Sequence, residues 1–192
     1  MYKGKISETG KRFSVPGYDV IRTDRDSTKG GLLMLLKVGS KYMQLPSPQN
    51  TECRVVEVST ANGKLTISNV FVPPTPDIDV AIYQTKFTRP NTIIVGDLNA
   101  RNKLWNSASE NARGRAVETL VTQNNFVVPN TGQVTFQNSR GQITHIDLNM
   151  VSSNLVSKCV WHRLNNTMVS VPLPVITEIE DQLYTEGETV LK

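Results

Sequence analysis

This chain has little of what marks several large protein classes. It carries two cysteines and two histidines in 192 residues, and aromatics make up only 6%. Cys53 and Cys159 lie far apart with no Cys-x-x-Cys spacing, which argues against a disulfide framework and for two reduced, buried thiols. No apolar run approaches the roughly 18 residues that a membrane-spanning helix needs. The opening MYKGKISETGKR has no signal-peptide character, so an intracellular protein is the expectation. Internal repeats and interdomain linkers are also missing.

What is present describes one ordinary domain. Hydrophobic residues make up 38%, low but globular, and the chain is long enough to bury a core. The expected organisation is a single domain over residues 1–180, then a polar tail over 181–192. The formal charge is +4 and the pI about 9.1. That sign suits a polyanionic partner without requiring one.

The pattern is mostly strands. LLMLLKV (32–38) reads as a fully buried strand, and CRVVEVS (53–59) alternates. Asn62-Gly63 is a hairpin signal leading into KLTISNVFV (64–72), which Pro73, Pro74 and Pro76 end. A strand over 92–96 follows, then a helix over 114–125, where Ala116, Val117, Leu120 and Val121 fall at helical spacing. Further strands are expected at 126–129, 144–150, 158–164 and 173–179. The fold class is therefore α/β.

The most informative stretch is IIVGDLNARNKLW (93–105). A short apolar strand ends at Gly96, after which Asp97 and Asn99 sit two apart and can face the same way. Asp97 could take a proton from an attacking water, and the Asn99 amide could donate to a phosphoryl oxygen as charge develops. The same pair also reads as an Asx-turn satisfying its own backbone. In THIDLNM (144–150), alternation would place His145 and Asp147 on one strand face, either as a metal or water site or as a surface pair. His162, beside Trp161, reads as structural.

Arg101, Lys103, Arg113 and Arg115 bracket the turn. They form either a phosphate-binding rim or a solvated loop with helix-start arginines. Two arginines at a helix N-terminus oppose its dipole, which suggests that they answer to a partner or a buried acid. Trp105 is either a base-stacking residue or a loop anchor.

Taken together, VGDLNARNKLWNS (95–107), NARGRAVETL (111–120), NTGQVTF (130–136) and THIDLNMVSSNL (144–155) resemble the endonuclease domain of non-LTR retrotransposons. That domain belongs to the endonuclease/exonuclease/phosphatase superfamily. FSVPGYDVIRTDR (13–25), KGGLLMLLK (29–37) and ISNVFVPP (67–74) fit the same order, so the resemblance spans roughly residues 2–176.

The resemblance implies a four-layered α/β sandwich of two mixed sheets with outer helices, incomplete at the N-terminus. It implies hydrolysis of a DNA phosphodiester with Mg²⁺ or Mn²⁺, a double-stranded DNA partner and a reverse-transcriptase domain downstream in the parent element. A monomer acting in the nucleus is expected. By the same resemblance Asp97 matches the acid that engages the nucleophilic water, Asn99 the phosphate-orienting amide, and Asp147 the later acid, with Asp97 and Asp147 as metal ligands. His145 joins them as a candidate catalytic residue. Arg101, Lys103, Trp105, Arg113 and Arg115 fall on the DNA-facing side.

Several family positions differ. The family begins with a strand carrying a metal-side Asn and then a metal-binding Glu, and MYKGK starts just past the place of that Glu. The family's active-site Tyr falls on Phe71, which keeps the ring without the hydroxyl. Its closing Ser-Asp-His motif falls on Ser170-Val171-Pro172. The segment between Pro74 and Thr92 is shorter than usual, which reduces an outer helix. The expectation is a nuclease fold with impaired catalysis, or a non-catalytic nucleic-acid- or protein-binding remnant of it.

Overall fold

The computed structural model describes residues 13–24, 31–48, 51–74, 84, 88–130, 132, 135–137, 143–163 and 175–180. The Ser170-Val171-Pro172 stretch and the 181–192 tail lie outside these residues.

The body of the molecule is a six-stranded mixed sheet in the order β3-β4-β5-β6-β10-β7. Its strands are β3 (Tyr42–Leu45), β4 (Glu52–Thr60), β5 (Gly63–Phe71), β6 (Thr92–Asp97), β7 (Phe126–Val127) and β10 (Asp147–Ser152). The Asn62-Gly63 signal produces the β4–β5 hairpin, with Thr60 opposite Gly63 and Gly63 at φ +123. β5 then runs parallel to β6, whereas β6 and β10 are antiparallel. Three two-stranded antiparallel sheets complete the pairing: β1 (Tyr18–Asp24) with β2 (Gly31–Lys37), β8 (Phe136–Gln137) with β9 (Ile143–Thr144), and β11 (Cys159–Arg163) with β12 (Val175–Ile179). The fold is α/β with a large mixed sheet, as expected from the residues.

Side-chain alternation divides the central sheet into two buried faces. On one face Val55, Val70, Ile94, Leu148 and Met150 pack against α1 (Ala112–Gln123) through Val117, Leu120 and Val121. On the other, Val56 and Val58 meet Ile21 from β1, while Ile93 and Val151 pack near Cys159 and Ile179 of the β11–β12 pair. Layers of this kind let both faces of a sheet bury apolar area.

Several expected elements shift. β2 is not fully buried: Leu32 is inside but Leu35 is 40% exposed, because the β1–β2 pair is covered on one side only. The expected 144–150 strand is interrupted at His145 and Ile146, with β10 beginning at Asp147. The helix starts two residues earlier than its apolar spacing suggests, because Asn111 caps it. Strands β1 and β3 lacked a strong apolar pattern in the sequence. Cys53 is buried as expected, whereas Cys159 is only half-buried; both are free thiols. Among the described residues, no helix is long and apolar enough to cross a membrane.

Candidate functional site

The end of β6 decides where the site residues lie. Asp97 stands directly opposite Asp147 on β10, and Phe71 of β5 is in register with Asp97 on its other side. Residues in register on neighbouring strands project to the same face, so Phe71, Asp97 and Asp147 form one row across three strands. Asp97 is 3% exposed and Asp147 is half-buried. Gly96 permits this arrangement: its φ is +153, and a Cβ there would lie 1.7 Å from the Val70 carbonyl oxygen.

After the strand the chain makes the Asx-turn. The Asn99 backbone N–H donates to Asp97 Oδ1 at 3.0 Å, and Asn99 adopts a left-handed φ of +48. The turn is also tied to the end of β5. Val72 N–H donates to the Asp97 carbonyl at 2.9 Å, and Asn99 Nδ2 donates to the Val72 carbonyl at 2.9 Å. The turn therefore satisfies its own backbone while holding Asp97 and Asn99 beside each other, so the two readings of this motif coexist.

Asparagines organise the loop that follows. Asn102 Oδ1 accepts from the Leu104 N–H, and its Nδ2 donates to Glu118 of α1 at 2.7 Å. Asn111 Oδ1 accepts from Gly114 N–H as the helix cap and from Arg101 N–H, while its Nδ2 donates to the Asn99 carbonyl at 3.0 Å. One side chain thus starts the helix and suspends the catalytic-type turn. Nothing in the sequence reading singled out Asn111 or Asn102. The signal was the recurrence of asparagine at 99, 102, 106 and 111.

Two expected DNA-facing residues are interior. Trp105 is fully buried, and its indole N–H donates to the Ala100 carbonyl at 3.2 Å, so it anchors the loop. Arg113 is 6% exposed and its Nη1 donates to the Leu98 carbonyl at 3.4 Å. Its unfavourable place at the helix start is answered by a loop carbonyl rather than by an external phosphate. Arg101, Lys103 and Arg115 are exposed.

His145 does not share a strand face with Asp147. It is 9% exposed, and its Nε2 lies 3.0 Å from the Gly132 carbonyl oxygen. A carbonyl only accepts, so Nε2 carries the proton and is engaged with the backbone. The NTGQVTF stretch does similar work on β10. Asn130 Nδ2 donates to the Asp147 carbonyl, Asn130 Oδ1 accepts from Asn149 N–H, and Thr135 Oγ1 accepts from Asp147 N–H. Asp147 is therefore fixed by Asn130 and Thr135 on one side and by β6 on the other. Among the described residues, no three His, Cys, Asp or Glu side chains converge as a metal cluster.

The family described as endonuclease–reverse transcriptase matches residues 65–171, which contain the whole site row and the loop around it. The chain belongs to the non-LTR retrotransposon endonucleases of the endonuclease/exonuclease/phosphatase superfamily. Family relatives include the RNA-directed DNA polymerase from mobile element jockey of Drosophila funebris, 25% identical over 133 residues, covering 66% of this chain and 14% of the relative. A probable RNA-directed DNA polymerase from transposon X-element of Drosophila melanogaster is 30% identical over 126 residues, covering 61% of this chain and 13% of its own length. The chain thus spans about one seventh of the curated relatives it matches. The endonuclease domain of TRAS1, a telomere-specific non-LTR retrotransposon, superposes with a TM-score of 0.74 at 19% identity, over 86% of this chain and 79% of that one. The Xenopus laevis APE2 catalytic domain gives 0.67 at 14% identity, over 91% and 79%. At these identities the two structures establish the superfamily fold.

Proposed function

We propose that this domain engages duplex DNA as a retroelement endonuclease module and cleaves it slowly or not at all. The observation that carries the reading is the Phe71–Asp97–Asp147 row at the sheet edge, beside a turn that fixes Asn99. Two acids and an amide suited to a phosphodiester are in place, while the third member of the row is a phenyl ring.

The donor set fits a largely hydrated Mg²⁺ or Mn²⁺ resting on Asp97 and Asp147, since such ions often take one or two carboxylates and several waters. When bound, the ion would supply positive charge to a phosphate oxygen. The chain's own residues do the rest. Asp97 orients water at the strand end, and Asn99 positions a phosphoryl oxygen from a rigid turn. Arg101, Lys103 and Arg115 contribute phosphate contacts from exposed positions around the turn.

What is missing sets the rate. A positioned acid–base group contributes roughly 10²–10⁴-fold. Here the aligned Asp-His pair is Val171-Pro172, the tyrosine is Phe71, and His145 is committed to a carbonyl. Such losses within one catalytic unit do not add, but each alone is severe. A reverse-transcriptase domain in a longer parent protein and a nuclear place of action belong to the same reading.

The test is nicking of supercoiled plasmid with Mg²⁺ and with Mn²⁺, comparing the chain with Asp97→Ala. The expected result is no metal-dependent nicking above the variant, together with salt-dependent binding to duplex DNA. Nicking that Asp97→Ala abolishes would overturn the impairment. Absence of salt-dependent binding would overturn the DNA reading and favour a protein-binding remnant.

A further inference from the structure

Directly behind the two acids, on the same sheet face, lies a cavity of about 470 Å³. Its floor is the next row in register: Asn69 on β5, Val95 on β6 and Asn149 on β10. One wall is β2, whose residues 31–36 all line the space, and the other includes Val175 and Thr177 of β12. Six consecutive residues of one strand include side chains from both of its faces, so β2 presents its edge to the cavity. Among the described residues β2 pairs only with β1, and β12 pairs only with β11.

The floor asparagines reach towards these two walls. Asn69 Nδ2 donates to the Leu33 carbonyl of β2 at 3.2 Å, and Asn149 Nδ2 donates to Thr177 Oγ1 of β12 at 2.5 Å. Their other ends are left over. Asn69 Oδ1 and Asn149 Oδ1 are both buried acceptors with no hydrogen-bond partner, on residues 9% and 2% exposed. An unmade buried hydrogen bond is costly, and two in one cavity point to donors that arrive from outside. The two residues stand on strands separated by β6, roughly 10 Å apart by ordinary strand spacing.

We propose that this cleft is a docking groove for an extended peptide strand that adds to the open edge of β2 above the Asn69–Val95–Asn149 row. An open edge offers a ladder of backbone groups, and alternate side chains of the added strand would descend onto the apolar floor. Its N–H groups and donor side chains satisfy the two asparagine oxygens. The TRAS1 endonuclease domain supports a strand over a small molecule, because about a fifth of that domain lies beyond what this chain covers. The same fold therefore accommodates more chain than is present here.

The test uses the full chain as bait for a phage-displayed library of short random peptides. The most enriched peptide is synthesised and followed by amide hydrogen exchange. The expected result is peptides with alternating apolar positions that slow exchange over residues 31–36 and 175–179. Asn69→Leu and Asn149→Leu should each weaken binding about tenfold, while Thr119→Ala, on the exposed face of α1, leaves it unchanged. The exchange footprint on the unmodified chain stands even if a variant fails to fold. No enrichment, protection confined to other segments, or binding of only a small apolar dye in this cavity would overturn the proposal.

Discussion

Asn111 holds Asn99 by its carbonyl at 3.0 Å while the same side chain caps the helix. The turn that carries the site and the helix behind it therefore share one fastening. An isolated N-cap substitution costs about 1 kcal/mol. Asn111→Ala also removes the bonds to Asn99 and Arg101, so we expect a loss of about 2–3 kcal/mol by urea denaturation. Asn111→Asp keeps the cap but not the donation to Asn99, and should fall between the two.

Gly114 gives a prediction of opposite sign to the usual rule. In an ordinary helix Gly→Ala stabilises by roughly 0.5–1 kcal/mol. Here a Cβ would lie 1.8 Å from the Arg101 carbonyl oxygen, which is backbone and cannot step aside. Gly114→Ala should lower the melting temperature and displace the loop carrying Arg101, read by thermal denaturation and amide chemical shifts.

The positions of the cations separate surface from core. Arg101→Ala, Lys103→Ala and Arg115→Ala should each reduce the slope of log binding constant against log salt by about one unit on duplex DNA. Trp105→Phe should leave that slope unchanged and appear instead as lost stability, because the indole is buried against Ala100. A slope change in Trp105→Phe with normal stability would contradict the interior placement.

Tyr42 supplies a pH dependence. Burial pushes its hydroxyl above the ordinary value of 10.0, and the Asp19 carboxylate adds to the shift through its charge and a hydrogen bond. The folded chain then holds the phenolic proton more tightly than the unfolded chain. The associated stability is fully present below about pH 10 and is lost as pH rises through the folded-state value. Melting temperatures measured across that window should fall more steeply for the native chain than for Tyr42→Phe.

Much of this was legible in the residues because local chemistry and tertiary structure agree. Asn62-Gly63 announced its hairpin, and apolar alternation marked β4, β5 and β6. The Asp97–Asn99 spacing and the later Asp147 identified the row, although only strand register shows them opposite each other. Trp105 and Arg113 went astray for a common reason. A loop rich in charge and amide reads as solvent-facing, yet this loop folds back on α1, and its carbonyls at 98 and 100 need interior donors. His145 was misplaced because period-two spacing assumes an unbroken strand, and the strand breaks there. β1 and β3 are short and partly exposed, so they carry little apolar pattern to read.

The opposition of Asp97 and Asp147 has a thermodynamic side. Like charges directly across a ladder work against the sheet, by up to about 1 kcal/mol for an exposed pair. Asp147→Asn should therefore raise the midpoint of urea unfolding, and added Mg²⁺ should stabilise the native chain more than the variant. In landscape language this row is a point of local frustration, where the sequence still favours the chemistry of its ancestors over the packing of its own sheet.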